Sequence, residues 1–179
     1  NSALWLVLGG AFVLRMILAG VTEGYPYDMS CFVAWGDKLA SEGPAAFYSA
    51  DYFADYPPGY ILVLGLVSLV RKALQLSYES RWTYFLLALI PAICDCAAVV
   101  LLDHISRRYM GQGRAQRCLV LFAAFCPLTL FDTGIWKQID GAFALPLLLC
   151  FWLLQKKKMS VPKVIGIAAA LGVVGFGVL

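Results

Sequence analysis

The sequence predicts an all-α membrane protein: a polytopic bundle of about six transmembrane helices, with interfacial helices in its first outer loop, forming a single module over residues 1–179. Three observations predict it. Hydrophobic residues make up 61% of the 179-residue chain, charged residues only 14%, and the mean hydropathy is +0.78. A soluble domain averages about 45–50% apolar and about 25% charged, so a bilayer must cover much of this surface. The apolar residues gather into runs near the ~20-residue length of a spanning helix. These runs lack the period-2 alternation of a membrane β-barrel, and lipid offers an open-ended backbone no partner except its own helix. This composition excludes a soluble enzyme, a disordered tail and a disulfide-stapled secreted domain. The net charge of +3 is small, and the basic residues are not laid out as a nucleic-acid footprint.

Apolar stretches fall at about 3–21, 59–76, 83–104, 118–135, 141–155 and 163–179. The first has no basic segment ahead of it, so it does not read as a signal peptide. The chain begins at Asn1 and stops at Leu179 inside an apolar run, the ends of either a piece of a longer protein, its amino-terminal module, or a trimmed one. Orientation follows Lys and Arg. Arg107, Arg108, Arg114 and Arg117 cluster before the fourth stretch, and Lys156, Lys157, Lys158 and Lys163 before the sixth. Both clusters read as cytoplasmic. Residues 22–58 carry Glu23, Asp28, Asp37, Glu42, Asp51 and Asp55 against Lys38 alone, so that loop and the tight Asp132–Asp140 turn read as non-cytoplasmic. An outer 22–58 and an inner 105–117 require an odd number of crossings between them. Two stretches lie there, so either 59–76 fails to span, or 83–104 breaks near Pro91, or one orientation is wrong.

The 22–58 loop has structure of its own. Ten of the chain's 25 aromatic residues lie between Tyr25 and Tyr60. Asp28 opens a helical pattern in which Phe32, Trp35 and Leu39 recur on one face, towards lipid or the bundle, and Gly43-Pro44 stops it. A second short helix is expected over 45–52. Asp55-Tyr56-Pro57-Pro58 forces an extended entry into the next stretch. Each feature has a plain reading: Asp28 as an N-cap, Asp55 as a turn residue, the rings as an interfacial belt. Together they describe a surface cleft of carboxylates and rings, chemistry suited to sugar hydroxyls and sugar faces.

Ionisable residues within apolar stretches are costly and point to function. Asp95 lies one turn after Pro91, where it serves a helix–helix hydrogen bond or a site. Arg15 either snorkels or meets a lipid phosphate. Trp136-Lys137-Gln138-Ile139-Asp140 forms an outer turn in which Asp140 is an N-cap or a site residue. The six cysteines, 31, 94, 96, 118, 126 and 150, read as small buried apolar residues: Cys94 and Cys96 are too close for a usual zinc pair, and His104 is the sole histidine.

In this order, Asp28 heading an interfacial helix, Asp55-Tyr56-Pro57-Pro58, Pro91 with Asp95, and Pro127 leading to Trp136-Lys137-Gln138-Ile139-Asp140, the sequence resembles the C-type (GT-C) membrane glycosyltransferases over about residues 15–155. The branch it resembles most is the bacterial relatives of the second GPI-anchor mannosyltransferase. The resemblance implies transfer of a hexose, mannose by analogy, from a polyprenyl-phosphate sugar to a glycan, lipid or protein hydroxyl. It implies Asp28 as the catalytic carboxylate, with Asp55, Tyr56, Trp136, Gln138 and Asp140 lining the site. The implied location is a bacterial inner membrane, with the site on the non-cytoplasmic face. Lys137 stands where the family commonly has glycine, and the family has eight or more spans. We place Arg15 and Lys137 nearest the donor phosphate on charge alone. A divalent metal stays open, because the loop is acidic but lacks strict ligand spacing. The rival class is a non-catalytic membrane subunit or a small-solute transporter with Arg15 and Asp95 along a polar pathway.

Overall fold

A computed structural model describes residues 2–48, 52–56, 58–156, 160–163 and 165–166. Among the described residues every regular element is helical. These are α1 (Ser2–Val21), α2 (Pro26–Glu42), α3 (Pro44–Phe47), α4 (Pro58–Ala73), α5 (Arg81–Met110), α6 (Arg114–Ala124), α7 (Pro127–Thr129), a π-helical segment (Leu130–Trp136) and α8 (Asp140–Lys156). Four of them begin on a proline, whose fixed φ suits the first helical position and whose missing N–H has no intrahelical partner there to lose.

Three helical stretches are long and apolar enough to cross a membrane: Ser2–Val21, Arg81–Met110, and Arg114–Trp136 taken through its break. The apolar part of α8, Asp140–Leu154, is shorter. The expected stretch at 163–179 lies almost entirely outside the described residues, as do Lys157 and Lys158. The 16-residue α4 is not one of the three. It packs along α2 instead, through Phe32, Leu39, Tyr60, Ile61 and Leu64. One helix of spanning length, α5, therefore lies between residues 58 and 110, the parity that the charge distribution requires. Pro91 does not break α5, which is continuous.

α1 and α5 run antiparallel. Ser2 shares a cavity wall with Asp103 and Arg107 at one end, and Arg15 meets Asp95 along their length. At the other end Lys137 links Thr22 to the neighbourhood of Tyr84. The bundle thus has a base-rich end, with Arg107, Arg108, Arg114 and Arg117, and an acid-rich end capped by the α2–α4 hairpin.

The face expected on α2 is present: Phe32, Trp35 and Leu39 are buried in the main core cluster. Two details differ. The helix starts at Pro26 with Tyr25 as N-cap, so Asp28 lies inside its first turn and is not the cap. The second short helix is Pro44–Phe47, four residues. The two helices of the hairpin touch at glycine: a Cβ on Gly36 would lie 2.5 Å from the Leu64 carbonyl oxygen. Asp37 then ties them together. It accepts from Ser68 Oγ, and both its oxygens accept from Arg71 Nη2, at 2.6 and 2.5 Å. Burial raises the pKa of this carboxyl, but the Ser68 and Arg71 hydrogen bonds and the Arg71 and Lys72 charges outweigh it and hold it below the ordinary value.

Burial of the cysteines was overstated. All six are free, Cys118 is exposed and the others are half-buried.

Candidate functional site

The acid-rich end brings together residues that are far apart in the chain. Tyr56 follows the hairpin turn, Asp28 sits in the first turn of α2, and Gln138 comes after the π-helical segment. Gln138 Nε2 donates to Asp28 Oδ2, and the Tyr56 hydroxyl donates to Gln138 Oε1 at 3.3 Å. The amide thus bridges a phenol and a carboxylate separated by 82 and 110 residues from it. Asp28 is half-buried, while Asp55 and Asp140 are exposed. Burial, then the negative charges of Asp28, Asp55, Asp140 and Asp132, push the Tyr56 pKa up to about 12. The phenol therefore stays protonated and remains a donor. Asp55 and Asp140 contribute charge here; Asp140 is the first residue of α8.

Rings build the floor. Phe32 lies 5.4 Å and Trp35 5.2 Å from Tyr56 between centroids. The chain continues from Tyr56 to Tyr60 and on to Phe143. Trp35 Nε1 donates to the Phe53 carbonyl at 2.9 Å, and the Tyr48 hydroxyl to the Tyr56 carbonyl at 3.1 Å. These bonds fix the approach to Tyr56 without using its side chain.

Gln138 reaches the site because of how α6 ends. Cys126-Pro127 interrupts the helix, and the backbone resumes as α7 and a π-helical segment, a geometry that recurs at functional sites. Lys137 closes it in the left-handed region, φ 64°, and the Gln138 N–H returns to the Asp132 carbonyl at 3.0 Å. Lys137 is fully buried. Its Nζ donates to the Thr22 carbonyl at 2.8 Å, to Thr22 Oγ1 at 2.9 Å and to the Ile135 carbonyl at 3.3 Å. Its head group is thus held by Thr22, the residue after α1, and by Ile135.

Arg15 and Asp95 form a separate network deeper in the bundle, 1% and 8% exposed. Arg15 Nε donates to Asp95 Oδ2 at 3.0 Å, and Nη2 to Thr129 Oγ1 at 2.9 Å. Nη1 donates to the Ala124 carbonyl at 2.8 Å and to the Ala11 carbonyl at 3.2 Å. Ala124 ends α6, so Arg15 satisfies a carbonyl that the break before Pro127 leaves without its helical donor. Thr133 Oγ1, in the π-helical segment, donates to the same Asp95 oxygen at 2.7 Å. Arg15 therefore does not snorkel; it is buried and its donors are bonded inside the bundle. It is joined to Asp95 as a buried pair. The sequence reading missed Thr22, Thr129 and Thr133; the one available signal was the four-residue spacing of Thr129 and Thr133, which places them on one face near a buried acid.

Beside the Asp28 cluster is an aromatic groove of about 290 Å³ lined by Thr22, Gly24, Tyr25, Phe131, Ile135 and Trp136, among others. Trp136 stacks edge-on with Tyr25 and Phe131, at 6.1 and 5.6 Å between centroids. Among the described residues no three His, Cys, Asp or Glu side chains are grouped so as to hold a metal ion.

No family model, curated protein or solved structure is found to match this chain.

Proposed function

We propose that the protein is a GT-C-like membrane glycosyltransferase that moves a hexose from a polyprenyl-phosphate donor to an acceptor hydroxyl with inversion. The observation that carries the reading is the meeting of Asp28, Tyr56 and Gln138, from three remote segments, on a floor of rings at one end of the helical bundle. In this reading the Asp28 carboxylate takes the acceptor hydroxyl proton as the acceptor oxygen bonds to the anomeric carbon. The bond from that carbon to the phosphate oxygen breaks, and the polyprenyl phosphate leaves with the electron pair. The bridging amide of Gln138 fixes the orientation of Asp28. Tyr56, whose proton goes to Gln138, accepts a hydrogen bond from a sugar hydroxyl, and Trp35 and Phe32 back its ring.

So many carboxylates attract hydroxyls and repel phosphate. The donor phosphate accordingly sits at the edge of the cluster, with its isoprenoid chain along the Tyr25–Trp136 groove, and Arg15 and Lys137 take no part in binding it. By the positive-inside rule the site faces the non-cytoplasmic side of a membrane, a bacterial inner membrane by analogy with the branch resembled. Mannose is the sugar by the same analogy.

The test is transfer of labelled sugar from a polyprenyl-phosphate hexose by the purified protein. Asp28→Asn, which keeps the size and a hydrogen-bonding atom, should lower the rate by about 10²–10⁴-fold with an unchanged melting temperature. An active Asp28→Asn protein overturns the assignment. Stabilisation by a small solute, with none by the lipid-linked sugar, favours the transporter class instead.

A further inference from the structure

The base-rich end holds a second cavity, of about 390 Å³, between the start of α1, the end of α5 and the start of α6. Its lining is of two kinds. Leu4, Val7, Val120 and Leu121 make one side apolar, and Arg107, Gln112 and Arg117 stand among the polar groups of the other. Asp103 also lines it, but this carboxylate is engaged: it accepts from Arg107 Nε and from Gln116 Nε2, each at 2.8 Å. Arg117 is exposed and makes no side-chain hydrogen bond or ion pair among the described residues. It lies one helical turn before Val120 and Leu121, on the same face of α6. The arginine and the apolar wall line the same cavity.

The local electrostatics are incomplete without an anion. α6 starts from Gly113, which offers no side-chain cap, and its first turn contains no acid but holds Arg114 and Arg117. Both charges face the positive end of the helix dipole, a repulsive arrangement. A cationic mouth, a hydrocarbon wall and a position at the ends of helices long enough to span a membrane together describe a seat for an amphiphile with a negative head.

We propose that this cavity binds one anionic phospholipid from the base-rich leaflet. Its phosphate meets Arg117 and the first turn of α6, and an acyl chain lies against Leu4, Val7, Val120 and Leu121. The proposal is independent of what the acid-rich end does.

The experiment uses the full chain in detergent, with lipid retention read by native mass spectrometry and stability by thermal unfolding. Phosphatidylglycerol should be retained and should raise the melting temperature. Phosphatidylcholine with the same chains should do neither, and glycerol phosphate, the head alone, should not stabilise. Arg117→Gln should reduce phosphatidylglycerol retention about fivefold, the effect of one arginine near an anionic lipid. Arg108→Gln removes the same charge outside the cavity and should retain the lipid within about twofold of the parent, well short of the loss of one full lipid contact. Equal retention of phosphatidylcholine, equal stabilisation by glycerol phosphate, or equal loss in both variants would each overturn the proposal; the last would indicate diffuse attraction in place of a site.

Discussion

Lys137 shows how one side chain carries both a backbone geometry and a pH dependence. It holds a left-handed φ of 64°, which a non-glycine residue adopts only when its surroundings demand it. Its three oxygen partners on Thr22 and Ile135 supply that demand. Burial lowers its pKa from the ordinary 10.5 to about 8, with Glu23 opposing the shift. Folded protein therefore binds fewer protons at this lysine than unfolded chain does between about pH 8 and 10.5, and stability rises with pH through that window. Lys137→Met deletes the titration. Melting temperatures of the two proteins in detergent, compared from pH 7 to 10, should diverge in favour of the parent as pH increases; parallel curves would show that Lys137 is not held low. Sequence reasoning singled out Lys137 as an odd residue in the turn and assigned it to a phosphate. It could not see the neighbours, because Thr22 lies 115 positions away.

At the scale of elements, the α2–α4 hairpin depends on two close approaches with different tolerances. A Cβ at Gly36 would press on the Leu64 backbone carbonyl, and one at Gly65 would lie 2.5 Å from Leu39 Cδ2. The first obstacle is backbone in a helix and cannot move alone. The second is the tip of a side chain with other rotamers. Gly36→Ala should therefore destabilise by about 1–3 kcal/mol, the usual cost of overpacking, and Gly65→Ala by clearly less, measured by thermal unfolding in one detergent. Equal losses would mean that the helices slide apart as a unit. The hairpin also marks the limits of the sequence. The Phe32, Trp35 and Leu39 face of α2 was legible, because helical periodicity is a local signal. That α4 pairs with α2, and falls short of spanning length, was not, because an apolar run looks the same whether lipid or another helix covers it. The π-helical segment was equally hidden: Pro127 announces a break, but the Thr133–Asp95 contact within it joins residues 38 positions apart.

Across the whole molecule, the polar side chains named from sequence separate into a buried pair that joins helices and a partly exposed cluster at the acid-rich end. Asp28, Tyr56 and Gln138 were named from sequence motifs, and they converge at the acid-rich end. Arg15 and Asp95 were named from the cost of burying charge, a criterion that finds structural pairs as readily as sites. Their bonds join α1, α5, α6, α7 and the π-helical segment at one point, so the pair is a structural anchor of the bundle. Removing one partner leaves the other charge buried and alone. Arg15→Leu should cost about 3–5 kcal/mol, whereas replacing both residues with apolar ones of similar size should recover most of that loss. Chemical denaturation of Arg15→Leu, Asp95→Leu and the double variant measures the coupling directly. A double variant no more stable than either single change would refute the structural assignment. The same double variant tests the rival class: a glycosyltransferase reading requires it to keep measurable sugar transfer once folded, because the Asp28 cluster lies elsewhere. A folded double variant that loses all function would place the working groups at Arg15 and Asp95 after all.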